Sequence, residues 1–108
     1  MKPHHFHILL AVADGPMHGT AIMEEVFART DGQMKLWPGT LYGSLRELQE
    51  QGWLRETDPP EDAPTEGGRR RFHEITPEGK ATLAREVRRL AEFVRAAKAK
   101  RVIAEGSV

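Results

Sequence analysis

Residues 38–48 constrain this chain more than any other stretch. Proline suits the first position of a helix because the N–H it lacks would have no partner there. The segment therefore predicts a helix that begins at Pro38 and runs to about Gln51, where Gly52 ends it. Leucines recur on one side of this helix at a spacing of four and three, which indicates a buried stripe of Leu41, Leu45 and Leu48.

The side of this helix opposite the leucines is unusually bare. Gly39 and Gly43 lie there, with Thr40, Tyr42 and Arg46 around them. Each glycine costs a helix about 1 kcal/mol relative to alanine. A helix with two glycines in its first turns is expected to let another molecule approach its backbone. The major groove of DNA, which admits the N-terminal end of a helix, is the leading candidate.

The rest of the chain predicts a mainly α fold with a small β-hairpin. In chain order, we expect helices over 4–13, 18–29 and 38–51 and strands over 53–57 and 69–75. Residues 33–36 are expected to form a small edge strand, and Phe27 is expected to face inward with Ile22 and Val26. Three helices followed by a hairpin are the order of a winged helix-turn-helix domain, which we place at residues 1–76.

The C-terminal segment, residues 77–108, predicts one long helix and a tail. Thr76 is a good N-cap, Pro77 suits the first helical position, and the helix is expected to reach residue 102 or 103. Its apolar residues repeat at a spacing of four and three, typical of a helix that packs against another: Leu83, Val87, Leu90, Val94 and Ala97, with Phe93 beside them. We expect this helix to join two copies of the chain as a homodimer. The alternative is an amphipathic helix that lies on its own domain.

Composition argues against several classes of function. The chain has no cysteine, which excludes disulfides, thiolate metal sites and cysteine nucleophiles. Its N-terminus lacks a secretory pattern and its longest apolar run, residues 8–13, is too short to span a bilayer, so we expect a cytoplasmic protein without membrane contact.

The remaining polar residues do not indicate catalysis. His4 and His7 share a helix face beside His5, but no further ligand at a recognisable spacing completes a metal site. No carboxylate lies in an isolated apolar setting, and no serine has the glycine pattern of a nucleophile elbow. We expect neither an enzyme nor a cofactor.

The net charge is zero, but the charges are unevenly placed. Residues 1–76 carry 8 basic and 12 acidic side chains, whereas residues 77–101 carry 8 basic and 3 acidic ones. A neutral protein can bind DNA where its positive charge is local. Here the positive charge is concentrated in the C-terminal helix and in the triplet Arg69-Arg70-Arg71.

Four segments, in this order, resemble the PadR-type transcriptional regulators. They are Ile8-Leu9-Leu10-Ala11-Val12-Ala13-Asp14-Gly15-Pro16-Met17-His18-Gly19, Pro38-Gly39-Thr40-Leu41-Tyr42-Gly43-Ser44-Leu45, Gly52-Trp53-Leu54, and Arg69-Arg70-Arg71-Phe72 leading into Ile75-Thr76-Pro77-Glu78-Gly79. The resemblance covers about residues 6–100. It implies a winged-helix DNA-binding domain, a single C-terminal dimerisation helix as in the short form of the family, and repression relieved by a ligand or a stress signal.

The chain departs from the family pattern at a few positions. Thr20 stands where an aromatic residue is common, and Trp37 leaves the third helix without a conventional N-cap. His73 and Glu74 replace an aromatic and a basic or polar residue. Glu74 makes the wing, which is the predicted hairpin of residues 53–75, less positive.

On this interpretation the helix from Pro38 lies in the major groove, and the wing and the start of the second helix contact the DNA backbone. The expected contacts are His18, Lys35, Pro38, Gly39, Thr40, Tyr42, Gly43, Ser44, Arg46, Arg69, Arg70 and Arg71. Arg46 is the strongest guanine reader on the helix, and the wing arginines are expected to contact phosphates. Three structural alternatives remain: Tyr42 packed against the wing, Arg46 paired with Glu50 one turn later, and the arginine triplet as a solvated charged face.

The sequence thus predicts a sequence-specific DNA-binding regulator, a repressor that binds an inverted-repeat operator as a homodimer. A small-molecule effector would be a further partner, and the residues do not identify one. The alternative is a winged-helix module that contacts another protein without binding DNA. The acidic residues 1–76 favour that alternative, and the arginine triplet opposes it.

Overall fold

The computed structural model describes residues 1–61 and 71–107. Over these residues the elements follow in the order α1 (Pro3–Ala11), β1 (Met17–His18), α2 (Gly19–Arg29), α3 (Pro38–Glu50), β2 (Leu54–Thr57), β3 (Phe72–Ile75) and α4 (Pro77–Ala99). The fold is mainly α with a small antiparallel sheet and a long C-terminal helix. The predicted winged helix-turn-helix architecture is confirmed.

Aliphatic side chains of α1, α2 and α3 form the core of the domain. The leucine stripe of α3 is confirmed, since Leu41, Leu45 and Leu48 are at most 2% exposed. The prediction for Phe27 is wrong, because its side chain is 47% exposed. Its ring instead lies beside the turn after α2, where a Cβ at Gly32 would be 3.3 Å from the ring.

The sheet has three antiparallel strands in the order β1-β3-β2. Leu54 pairs with Ile75 across the hairpin, and Met17 pairs with His73 on the other edge of β3. The hairpin was predicted, but the edge strand expected at residues 33–36 is absent. The edge of β3 that faces away from β2 is paired by β1, the two residues before α2, because the turn after α1 brings them alongside β3.

The first turns of α4 pack on the domain from which they emerge. The Thr76 hydroxyl caps the helix by accepting the N–H of Gly79 at 3.0 Å, and it donates to the carbonyl of Gly52 at 2.6 Å. Leu83, predicted at a dimer interface, is 5% exposed and lies instead in the core of its own chain. Past this point Val87, Leu90 and Phe93 are 44%, 37% and 56% exposed. The helix ends at Ala99, a few residues earlier than predicted.

Candidate nucleic-acid interface

The exposed face of α3 is formed mainly by its first two turns. Pro38, Gly39 and Thr40 are exposed, as are Tyr42 and Arg46. A Cβ built at Gly39 or Gly43 would meet no atom of the described residues within 4 Å, so the backbone is open to close approach there. This face offers peptide groups, one hydroxyl, one phenol and one guanidinium.

Ser44 does not belong to this face. It was predicted as a DNA contact, but it is 6% exposed and lies on the core side of α3. The reason is helical geometry: Ser44 follows Leu41 by three residues and therefore turns with it towards the core.

An exposed pair of a cation and an aromatic ring precedes α3. Trp37 occupies the N-cap position without a side-chain cap hydrogen bond, and it is 62% exposed. The Lys35 Nζ lies 4.4 Å from the centroid of the Trp37 ring. The pair places a positive charge and a flat apolar surface beside the open end of α3.

Gly19 determines how closely α2 approaches α3. A Cβ there would lie 3.1 Å from Leu41 Cδ2 and 3.8 Å from the Tyr42 hydroxyl oxygen, so the phenol lies over the start of α2. His18 caps this helix, since its Nδ1 accepts the N–H of Ala21 at 3.3 Å. The corner between the two helices thus brings the exposed phenol next to a helix N-terminus.

The described part of the wing carries paired charges. Arg55 Nε donates to Glu74 Oε1 at 2.7 Å, and Arg71 Nη1 donates to Glu56 Oε1 at 3.4 Å. The Arg71 side chain is 80% exposed, and an exposed pair of this kind is weak enough for Arg71 to exchange its partner for a phosphate. The predicted contacts Arg69 and Arg70 lie outside the described residues.

The acidic side chain of Glu47 on α3 is neutralised from α1. Lys2 Nζ lies 2.8 Å from Glu47 Oε2, and the buried His5 Nε2 lies 3.8 Å from Glu47 Oε1. The hydrogen bond from Lys2 lowers the pKa of Glu47, which therefore stays ionised in this pair. The charge of Lys2 reduces the repulsion that Glu47 would exert on a phosphate.

A cleft of about 620 Å³ lies between α3, the start of α2 and the hairpin. Its lining includes Thr20 from α2, Tyr42 and Arg46 from α3, and Glu56, Arg71 and His73 from the hairpin. Sequence reasoning missed Glu56 and His73 as site residues. For His73 the available signal was strand alternation, which places residues 71, 73 and 75 on one side of the strand predicted over 69–75.

Residues 1–61 and 71–107 contain neither a cluster of metal ligands nor a helix that could span a membrane. Nowhere in these ranges do three or more histidine, aspartate or glutamate side chains gather as metal ligands. None of the helices there combines the length and the apolar character needed to cross a membrane.

Two curated proteins resemble the chain in sequence. The uncharacterized 37.1 kDa protein in transposon TN4556 of Streptomyces fradiae is 37% identical over 86 residues, which span 80% of this chain and 22% of that protein. The transcriptional regulator Rv3488 of Mycobacterium tuberculosis is 34% identical over 89 residues, which span 82% of this chain and 77% of that protein. The chain thus spans only a small part of the first relative and most of the second.

The same architecture occurs in a solved structure of Bacillus subtilis PadR in complex with operator DNA. The TM-score is 0.66 and the identity 15%, and the match covers 80% of this chain and 47% of that chain. The sequence model of the transcriptional regulator PadR-like family matches residues 8–85. The chain therefore belongs to the PadR-like family of transcriptional regulators.

Proposed function

We propose that this chain is a sequence-specific DNA-binding repressor that binds an inverted-repeat operator as a homodimer. The open N-terminal face of α3 is the observation that carries the proposal. Gly39 and Gly43 leave its backbone uncovered, and Thr40, Tyr42 and Arg46 stand exposed around them. A major groove admits a helix that presents such a face, and its base edges accept hydrogen bonds from hydroxyl and guanidinium groups.

The contacts divide into two kinds. Thr40 and Arg46 are proposed to read base edges, since both are exposed on the open face of α3. Lys35 and Arg71 are proposed to contact phosphates, and so are Arg69 and Arg70 on sequence grounds alone. Phosphate contacts fix the position of the protein on the duplex, whereas base contacts supply the specificity.

Homodimer formation is proposed to occur through α4. Beyond the buried Leu83, this helix leaves the domain with an apolar stripe of Val87, Leu90, Phe93, Val94 and Ala97, of which the first three are more than a third exposed. An apolar stripe at this spacing is typical of a helix that packs on a second helix. In this proposal residues 1–76 bind DNA and residues 77–108 join the two subunits.

The Bacillus subtilis structure supports the choice of ligand, because that protein shares the fold and was solved with operator DNA. A dimer with one α3 per subunit would contact two half-sites related by a twofold axis. The operator is then an inverted repeat with half-sites about 10 base pairs apart, centre to centre.

A footprint on genomic DNA, including the fragment next to the gene of this protein, tests the proposal. We expect two protected half-sites about one helical turn apart. Arg46→Ala should weaken operator binding by roughly 5- to 150-fold and relax the preference at one base pair, since a guanine contact is worth about 1–3 kcal/mol. Arg55→Ala is the matched control, because Arg55 is an exposed arginine paired with Glu74 on the hairpin.

The proposal is abandoned if the folded dimer binds no genomic fragment at low salt. That outcome would favour a winged-helix module that contacts another protein.

A further inference from the structure

The cleft beside α3 brings together basic and hydroxyl groups from three parts of the fold. Tyr42 and Arg46 line it from α3, Arg71 and His73 line it from the hairpin, and His18 and Thr20 close one end at the start of α2. Glu56 is the acidic side chain among the lining residues, and it already pairs with Arg71 at 3.4 Å. The two guanidinium groups therefore leave the cleft with a net positive charge.

The sheet register explains why these groups face α3. Glu56 pairs with His73, and Leu54 pairs with Ile75, so the four residues share one side of the hairpin. Leu54 and Ile75 pack against the core, which fixes that side towards the helices. Arg71 lies two residues before His73 and therefore projects on the same side.

His73 is the unusual member of this set. It is 4% exposed, it lines the cleft, and its Nδ1 makes no hydrogen bond within residues 1–61 and 71–107. A buried polar nitrogen without a partner is unfavourable, so a ligand that reaches this nitrogen and supplies a partner gains affinity. Burial lowers the pKa of His73, Glu56 opposes this shift and Arg71 adds to it. An anion that enters the cleft would reverse the balance and favour the imidazolium form.

We propose that this cleft binds a phosphoryl group and that His73 takes up a proton when it does so. Arg46 and Arg71 donate hydrogen bonds to the phosphoryl oxygens from opposite walls of the cleft. The Tyr42 hydroxyl donates from beside the start of α2, and the N-terminus of α2 contributes the positive end of its helix dipole. The phosphoryl group is a phosphodiester of bound DNA or a free phosphate ester. The first case rests on the proposed function, and the second does not.

The direct test is an NMR titration of the imidazole signals of the whole protein. Sulfate serves as the probe, because its charge stays constant over the range in which histidine titrates, and chloride keeps the ionic strength equal. We expect sulfate or a DNA duplex to raise the titration midpoint of His73 by about 1 unit. His5 and His7 are internal controls, since they lie on α1 and do not line the cleft. If neither probe moves His73, the proposal is overturned.

The two probes distinguish the sources of the phosphoryl group. A shift with duplex alone assigns the cleft to the DNA backbone. A shift with sulfate in a protein whose His73 does not respond to bound duplex assigns it to a free phosphate ester. Normal operator binding with an unmoved His73 removes this inference and leaves the proposed function in place. If His73 responds to sulfate but the protein binds no DNA, the proposed function is removed and the phosphoryl site remains.

Variants separate the cleft from the rest of the hairpin. Arg71→Ala should weaken sulfate binding several-fold, and it should reduce the slope of log affinity for DNA against log salt by about one. Arg55→Ala removes the same charge from the opposite side of the hairpin and should change neither quantity. Equal effects of the two variants would show that general charge, and not the cleft, accounts for binding.

The pH dependence of sulfate affinity tests whether His73 is the group that takes up the proton. With one coupled proton, sulfate affinity should rise up to tenfold for each unit that the pH falls, and His73→Gln should remove that dependence. His18 also faces the cleft, so His18→Asn, which keeps an N-cap acceptor, measures its separate contribution. An unchanged pH dependence in a folded His73→Gln protein contradicts the proposed proton uptake.

Discussion

The backbone carbonyl of Trp53 occupies the space that a side chain at Gly79 would need. A Cβ built at Gly79 lies 2.9 Å from the carbonyl carbon of Trp53, closer still to its oxygen, and 3.0 Å from Ile75 Cγ1. The same oxygen accepts the backbone N–H of Thr76 at 3.0 Å, which holds it in place. The lack of a side chain at Gly79 therefore lets α4 begin directly against the hairpin.

Gly79→Ala should destabilise the protein although alanine favours helices. Overpacking typically costs about 1–3 kcal/mol, which exceeds the gain of about 1 kcal/mol from replacing a helical glycine. Since the obstructing atoms are backbone, the contact cannot be relieved by a side-chain rotation. Urea unfolding measures the free energy of unfolding directly. A variant as stable as the parent would show that α4 is not held against the carbonyl of Trp53.

Gly43→Ala should have the opposite effect on stability and a separate effect on DNA. A Cβ at Gly43 meets no described atom within 4 Å, so the helix should gain about 0.5–1 kcal/mol. The added methyl group would lie on the open face of α3, and we expect it to reduce DNA affinity. Urea unfolding and a gel shift on the same preparation check both effects. Unchanged DNA affinity in the stabilised variant would mean that no close approach occurs at Gly43.

Trp37 should report on bound DNA. It is 62% exposed, whereas Trp53 is half-buried against the core, so Trp53→Phe leaves a single exposed indole beside the start of α3. We expect a DNA duplex to change the fluorescence of that protein, because the groove would cover the ring. The control is Trp37→Phe, in which the remaining Trp53 should respond little. A silent Trp37 in a protein that still binds DNA would place the duplex elsewhere.

Stability should fall in mild acid because two histidines, His5 and His73, are buried and a third, His7, is half-buried. Burial is the main cause that lowers the pKa of each of His5, His7 and His73. Below about pH 6.5 the unfolded chain therefore binds protons that the folded chain does not, so the stability present above that pH is lost as the pH falls. Each histidine can lower the free energy of unfolding by at most about 1.4 kcal/mol for each unit that the pH falls.

Urea midpoints measured from neutral pH down to about pH 5 test this dependence in the absence of DNA. His5→Gln should make the loss shallower, because it removes one of the three groups that the unfolded state protonates. His4→Gln on the same helix is the control for His5→Gln, since His4 is more exposed than His5. Stability that does not change over this range would show that the buried histidines do not resist protonation.

Local rules predicted much of the fold correctly. Pro38 begins α3, Gly52 adopts the positive φ of 78° that follows the helix, and Thr76 caps α4, because each depends on residues within a few positions in sequence. The open face of α3 was also predictable from the spacing of its glycines and leucines alone. These features need no knowledge of which elements meet in space.

Most of the errors concern contacts between distant parts of the chain, and Ser44 is the exception, since its helical spacing from Leu41 turns it towards the core. β1 is a strand only because β3 offers it an edge, so two residues gave no local signal. Leu83 matches Leu90 in spacing, but the first turns of α4 lie on the domain and bury only Leu83. Strand alternation places His73 on the same side as Arg71, but its pairing with Glu56 and the position of α3 across the cleft depend on no local pattern.

Leu90→Asp should separate the proposed dimer into monomers. Leu90 is 37% exposed between Val87 and Phe93, so a carboxylate there would be buried without a partner if two copies of α4 pack together. In the single chain it would remain in water, and the helix content measured by circular dichroism should persist. Sedimentation equilibrium at micromolar concentration should then give the 12.2 kDa particle, and protection of the second half-site should be lost. Ala81→Asp adds the same charge to an exposed position about two and a half turns away, on the opposite side of α4, and should leave the dimer intact. If the Leu90→Asp protein still sediments as a dimer, the subunits meet through another surface.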